Sequence, residues 1–283
     1  MSSASDELYE KFQSYLTGER KSRYTVRQYS YMAKGFLSFL NKPLAAVDED
    51  DIDEYKNHLV SVKNYSKASQ HLAINAVKLL LKSNRINPPM NLTAPRRSRK
   101  MPVYLSQREA SALLEHSSVD HRINAIINTL IYTGIRVGEL CALDLDDIDL
   151  DENIVRIRSG KGDKGRIVVI PDECKASLEK HLEYRRRLRP ATKALFVSNK
   201  RSRYDTSSIE RIVRELSRTA GIKKKVTPHV LRHTFATTVM RNGGDIRFIQ
   251  ELLGHASVAT TQIYTHIDEN TLKEMYNRHR PRF

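Results

Sequence analysis

Three short stretches and one tyrosine in this 283-residue chain carry residue types that could act together on a phosphodiester. In Gly134-Ile135-Arg136-Val137-Gly138-Glu139-Leu140 an arginine stands at an expected helix start just after a glycine stop, so its guanidinium projects from a rigid element. In Pro228-His229-Val230-Leu231-Arg232-His233, Thr227 serves as N-cap and Pro228 takes the first helical position. His229 and Arg232 then share one face, one turn apart. Leu252-Leu253-Gly254-His255 closes a third helix, and Tyr264 follows within Thr261-Gln262-Ile263-Tyr264-Thr265-His266. Two arginines can make bidentate contacts to non-bridging phosphate oxygens, and a histidine can accept or donate a proton near neutral pH. A tyrosine hydroxyl can attack phosphorus and hold it as an ester. Singly, each has an ordinary reading: Arg136 as an ion-pair residue, His229 as a satisfied core histidine, Tyr264 as one of 13 packed tyrosines. The chemistry depends on their joint occurrence.

Three other signals fail on their own terms. His229 and His233 stand four apart like zinc ligands, but the glutamate that would activate water is replaced by Val230. Asp147, Asp149 and Asp151 alternate like a calcium loop, yet Glu152 occupies the glycine turn position, so they read as a solvated turn. Gly160-Lys161-Gly162 lacks the spacing and following helix of a nucleotide-binding phosphate loop.

The elements that must hold these residues form two sets. The first ninety residues read as successive helices. Leu8, Phe12, Tyr15 and Leu16 form the first stripe, and Thr25 with Gln28 forms a capping box before the second. A third helix follows Asp48 and a fourth runs from about Ser66. Residues 86–95 contain three prolines and cannot continue a helix; Arg96, Arg97, Arg99 and Lys100 follow at once. That basic run is either a solvated surface or a tether that clamps DNA. Beyond it, Ser106 and Glu109 cap another helix, and an apolar helix from about Asp120 to Tyr132 stops at Gly134. Residues 154–158 and 167–170 are β-branched runs flanking a glycine-rich hairpin tip. Helices return after them, ending in a polar helix from about Glu269 to His279. The fold class is mainly α with a small antiparallel sheet: a helical bundle followed by an α+β domain.

The chain carries 48 Lys+Arg against 33 Asp+Glu, a formal net charge of +15, which favours a polyanionic partner. An apolar run of about 18 residues, as a membrane span needs, is absent, and the N-terminal residues carry no basic-then-apolar signal pattern. Cys141 and Cys174, the two cysteines, sit among apolar neighbours and read as core residues in a reducing cytoplasm.

With these motifs in order, together with Gly160-Lys161-Gly162 and His229-Val230-Leu231-Arg232-His233-Thr234-Phe235-Ala236, the chain resembles the tyrosine recombinases (the phage integrase family), specifically their compact Xer type. The resemblance implies a helical, SAM-like core-binding domain over residues 1–90, a basic linker over 91–102 and a catalytic domain over 103–283. It implies Tyr264 as nucleophile, forming a 3′-phosphotyrosyl intermediate, with Arg136 and Arg232 on the non-bridging oxygens. Lys161 would be the general acid, with Lys164 as rival and otherwise a DNA contact. His229 would take the tyrosine proton, His255 would bond a phosphate oxygen, and Glu139 would orient the site. Arg96, Arg97, Arg99 and Lys100 would contact DNA. No metal or cofactor is needed, because two arginines and a lysine supply the positive charge. The partner would be a double-stranded recombination site, bound by a homotetramer on two DNA sites. Helix 271–279 is either exchanged between subunits or docked on its own domain. The implied task is strand exchange through a Holliday junction that resolves chromosome or plasmid dimers at a dif-like site. A phage or mobile-element integrase, a type IB topoisomerase and a non-catalytic architectural protein are the alternatives.

Overall fold

The computed structural model describes residues 2–21, 23–95, 102–158, 165–254 and 269–283. It divides into two compact units, Met1–Lys100 and Met101–Phe283. Lys161, Lys164, His255, Tyr264, Arg96, Arg97, Arg99 and Lys100 lie outside the described residues.

Among its described residues the first unit holds four α-helices: α1 (Ser2–Gly18), α2 (Arg23–Phe39), α3 (Glu49–Ser61) and α4 (Lys67–Ser83). The apolar stripes meet in one core, where Phe12, Leu16, Phe36 and Ile52 are fully buried. Phe36 meets the Tyr55 ring edge-on at 4.7 Å. Asp48 and Asp51 form a reciprocal capping box at α3, and Ser66 caps α4. Thr25 is not the N-cap that the sequence suggests: α2 already begins at Arg23, so Thr25 lies in its first turn. The proline-rich exit is anchored. Leu92 is buried in the core, Lys56 Nζ donates to the Asn91 carbonyl at 2.6 Å, and Asn91 Nδ2 donates to the Glu49 carbonyl at 2.7 Å. The packed part of this unit therefore continues past residue 90.

The second unit contains α5 (Gln107–Ser117), α6 (His121–Thr133), α7 (Val137–Ala142), strands β1 (Ile148–Asp149), β2 (Ile154–Ile157) and β3 (Arg166–Val169), then α8 (Asp172–Leu188), α9 (Thr206–Thr219), α10 (Pro228–Arg241), α11 (Ile246–Leu253) and α12 (Glu269–His279). Ten of the thirteen α6 residues are buried, which makes it the central helix. The strands form an antiparallel sheet in the order β1-β2-β3, with Ile157 opposite Arg166. The two-residue β1 carries too few positions to show a period in the sequence.

Asp147 is not part of a solvated turn. It is buried, accepts from the Asp144 amide at 2.8 Å and pairs with Arg158 Nε at 2.6 Å. Cys174 is fully buried, and burial pushes its thiol up to about 12; Cys141 is only partly buried, with its thiol up at about 11 for the same reason. No described helix is long and apolar enough to cross a membrane.

Candidate active site

The C-terminus of α11 is where the charged residues converge. Asp245 caps the start of this helix, and Gly254 ends it in the left-handed conformation with φ 63°. Carbonyls at a helix end lack intrahelical partners and attract cations. Here three successive carbonyls are taken by arginines from three different elements. Arg166 Nε donates to Leu252 O at 3.0 Å, Arg232 Nη2 to Leu253 O at 2.8 Å, and Arg136 Nη2 to Gly254 O at 2.8 Å.

Each arginine is delivered by local structure. Gly134 stops α6 at φ 62°, and Arg136 is the N-cap of α7. Thr227 caps α10 and Pro228 occupies its first position, so Arg232 sits one turn inside. Arg232 is 8% exposed and also donates Nη1 to Gly134 O at 2.7 Å, so it ties the end of α6 to the end of α11. Arg166 opens β3. Beneath the site, Phe235, Val239, Phe248, Ile249, Leu252, Leu253, Leu272 and Tyr276 form a separate apolar cluster that packs α10, α11 and α12 together.

Glu139 is the anion of the group. It accepts from the Arg136 amide at 2.8 Å and Arg136 Nη1 at 2.8 Å, and from Arg166 Nη1 at 3.0 Å and Nη2 at 2.8 Å. Burial opposes its ionisation, but the hydrogen bonds of Arg166 and Arg136 and the charge of Arg166 outweigh that and hold its carboxyl at about 2. Burial lowers the Arg232 guanidinium to about 10, with repulsion from Arg136 adding and attraction from Glu139 opposing, so it stays protonated at neutral pH. Three arginines and one carboxylate leave an excess of two positive charges. Such a cluster suits a phosphate diester, and Arg136, with its side chain 41% exposed, is the guanidinium open to one.

Among the sequence-derived candidates, the structure brings Arg136, Glu139 and Arg232 together. His229 is exposed on the first turn of α10, one turn from the buried Arg232. Arg166 is the participant that sequence reasoning missed. The one trace of it is an arginine at the head of an apolar strand, where a surface reading is the natural one.

Residues 103–271 match the profile of the phage integrase family, and residues 8–84 match the N-terminal SAM-like domain of phage integrases. The chain belongs to the phage integrase family. Among curated tyrosine recombinases, XerA of Pyrococcus furiosus is 38% identical over 277 residues, covering 96% of this chain and 93% of that protein. XerC of Natranaerobius thermophilus is 32% identical over 292 residues, covering 96% and 97%. A crystal structure of XerA recombinase shares 56% identity, covers 99% of this chain and 100% of its own, and superposes with a TM-score of 0.55. XerH bound to its difH substrate shares 26% identity over 88% of this chain and 77% of its own, with a TM-score of 0.69. This recombinase is accordingly of the Xer type, an enzyme that cleaves and rejoins DNA in site-specific recombination.

Proposed function

We propose that this recombinase joins itself to DNA through Tyr264 and exchanges strands by way of a Holliday junction. The supporting observation is the convergence of Arg136 and Arg232 on the last carbonyls of α11, immediately before the segment that carries His255 and Tyr264. The Tyr264 oxygen attacks the scissile phosphorus and gives its proton to His229. The P–O5′ bond breaks, and Lys161, with Lys164 the alternative, protonates the departing 5′ oxygen. The product is a 3′-phosphotyrosyl ester and a free 5′-hydroxyl. Arg136 and Arg232 hold the non-bridging oxygens as charge builds, His255 donates to one of them, and Glu139 orients Arg136. Attack by the 5′-hydroxyl of the partner strand reverses each step, so the strand is resealed without an outside energy source.

In this reading the first unit, packed through Leu92, is the core-binding domain and residues 103–283 are the catalytic domain. The linker beyond it places Arg96, Arg97, Arg99 and Lys100 on phosphates. A homotetramer in the cytoplasm holds two double-stranded sites. Helix 271–279 is exchanged between subunits, remaking on a neighbour the contacts α12 makes on its own domain. Solved relatives include XerH bound to difH, and the substrate proposed here is a dif-like site at which chromosome or plasmid dimers are resolved. The test is covalent capture on nicked fragments of the source genome followed by sequencing of the trapped ends. Capture at one inverted-repeat chromosomal site supports dimer resolution; capture at the ends of a mobile element overturns it.

A further inference from the structure

Arg166 uses its whole guanidinium inside the site. Two nitrogens pair with the two oxygens of Glu139, the third donates to Leu252 O, and the side chain is 16% exposed. It has no free edge to offer a phosphate, unlike Arg136. The chain also makes room for it: a Cβ built on Gly254 would lie 2.8 Å from Arg166 Nη1 and 3.0 Å from its Cζ. Glu139 in turn holds Arg136 through both its main-chain amide and its guanidinium. The connection therefore runs from β3 through a carboxylate to the exposed arginine, while the same β3 residue fixes the helix end that Arg136 and Arg232 also grip.

We propose that Arg166 is a positioning residue for DNA cleavage: by holding both oxygens of Glu139 and the Leu252 carbonyl at once, it fixes Arg136 against the end of α11. It acts on the transition-state charge at the phosphate and not on protonation of the leaving oxygen by the hairpin-tip lysine. The inference rests on the assignment of Arg136 to the scissile phosphate. A lysine cannot replace it, because one ammonium cannot span a carboxylate bidentately and reach a carbonyl as well.

The test uses the full chain on a nicked duplex carrying the site that the wild-type protein marks by covalent capture. If the wild type forms no adduct, the phosphotyrosyl reading and this inference fall together; once it forms one, the variants decide the inference alone. Arg166→Gln and Arg166→Lys should each slow single-turnover adduct formation by about 10- to 100-fold while DNA affinity is little changed, as for a displaced catalytic group. Arg166→Lys keeps the cation and serves where Arg166→Gln loses stability. The double variant Arg166→Gln/Glu139→Gln should lose less than the product of the two single losses, because both changes break the Arg166–Glu139 pair. Replacing the bridging O5′ by sulfur gives a leaving group that needs no proton, and the defect should persist on that substrate. Wild-type rates in the two single variants, additive losses in the double variant, or a rate restored by the sulfur substrate would each overturn the proposal.

Discussion

Arg232 donates Nη2 to the carbonyl of Leu253 at 2.8 Å, placing a nearly buried cation on the last residue of α11. Its other terminal nitrogen reaches Gly134 O at 2.7 Å. One side chain thus sets the distance between the stop of α6, which precedes Arg136, and the stop of α11, which precedes His255. The cost of burying that charge is offset by two helix C-termini and by the Glu139 carboxylate.

Replacing Arg232 by lysine should therefore affect more than charge. A single ammonium cannot satisfy both carbonyls, and cleavage should fall on the order of 100-fold or more. Losing one of the two carbonyl partners should cost about 1–3 kcal/mol in stability. Single-turnover cleavage and denaturant unfolding of Arg232→Lys measure the two effects separately.

Gly134→Ala tests the helix stop itself. A Cβ there would lie 2.5 Å from Phe235 Cδ1 and 2.9 Å from Leu253 Cδ2, and φ is 62°. Overpacking should cost about 1–3 kcal/mol, with roughly 1–2 kcal/mol more from the left-handed backbone. A lowered denaturant midpoint with an unchanged slope would be the signature.

Much of this arrangement could be read in the sequence because it depends on local signals. The capping box at Ser106, the Thr227-Pro228 start and the stops at Gly134 and Gly254 use short-range chemistry, and the structure has all of them. These place Arg136 and Arg232 on helix ends. Arg166 escaped because its partner Glu139 lies 27 residues earlier, and only the folding back of β3 on β2 brings them together. Asp147 escaped for the same reason: β2 pairs with β1 and returns Arg158 to bury a side chain that looks like surface. At α2 the helix simply extends upstream of a plausible cap.

Acid should weaken the site in a defined range. The Glu139 carboxyl is held at about 2 against an ordinary 4.5, so its folded value is depressed. Its contribution to stability is complete above about pH 4.5 and is lost as pH falls through 4.5 toward 2. Glu139→Gln lacks that titration. Its unfolding free energy should be lower than wild type at neutral pH, and the gap should narrow over this window in acid-unfolding curves.

The last helix is held firmly in its own domain. Tyr276 on α12 is 1% exposed, and its hydroxyl donates to Tyr132 O at 2.8 Å. These are the contacts that an exchanged helix would remake on a neighbouring subunit. Tyr276→Ala should cost about 3–5 kcal/mol, as for other large buried aromatics, whereas Tyr276→Phe should lose about 1 kcal/mol for one hydrogen bond. Thermal unfolding of the two variants distinguishes the cavity from the bond.

In the proposed mechanism Tyr264 becomes joined to DNA. Wild-type and Tyr264→Phe chains would be mixed with nicked duplex from the source genome in EDTA, denatured, and resolved for protein that still carries DNA. An adduct should form with the wild type alone, with equal DNA binding by both. An adduct formed by Tyr264→Phe, or a wild-type adduct mapped to a peptide without Tyr264, would contradict it.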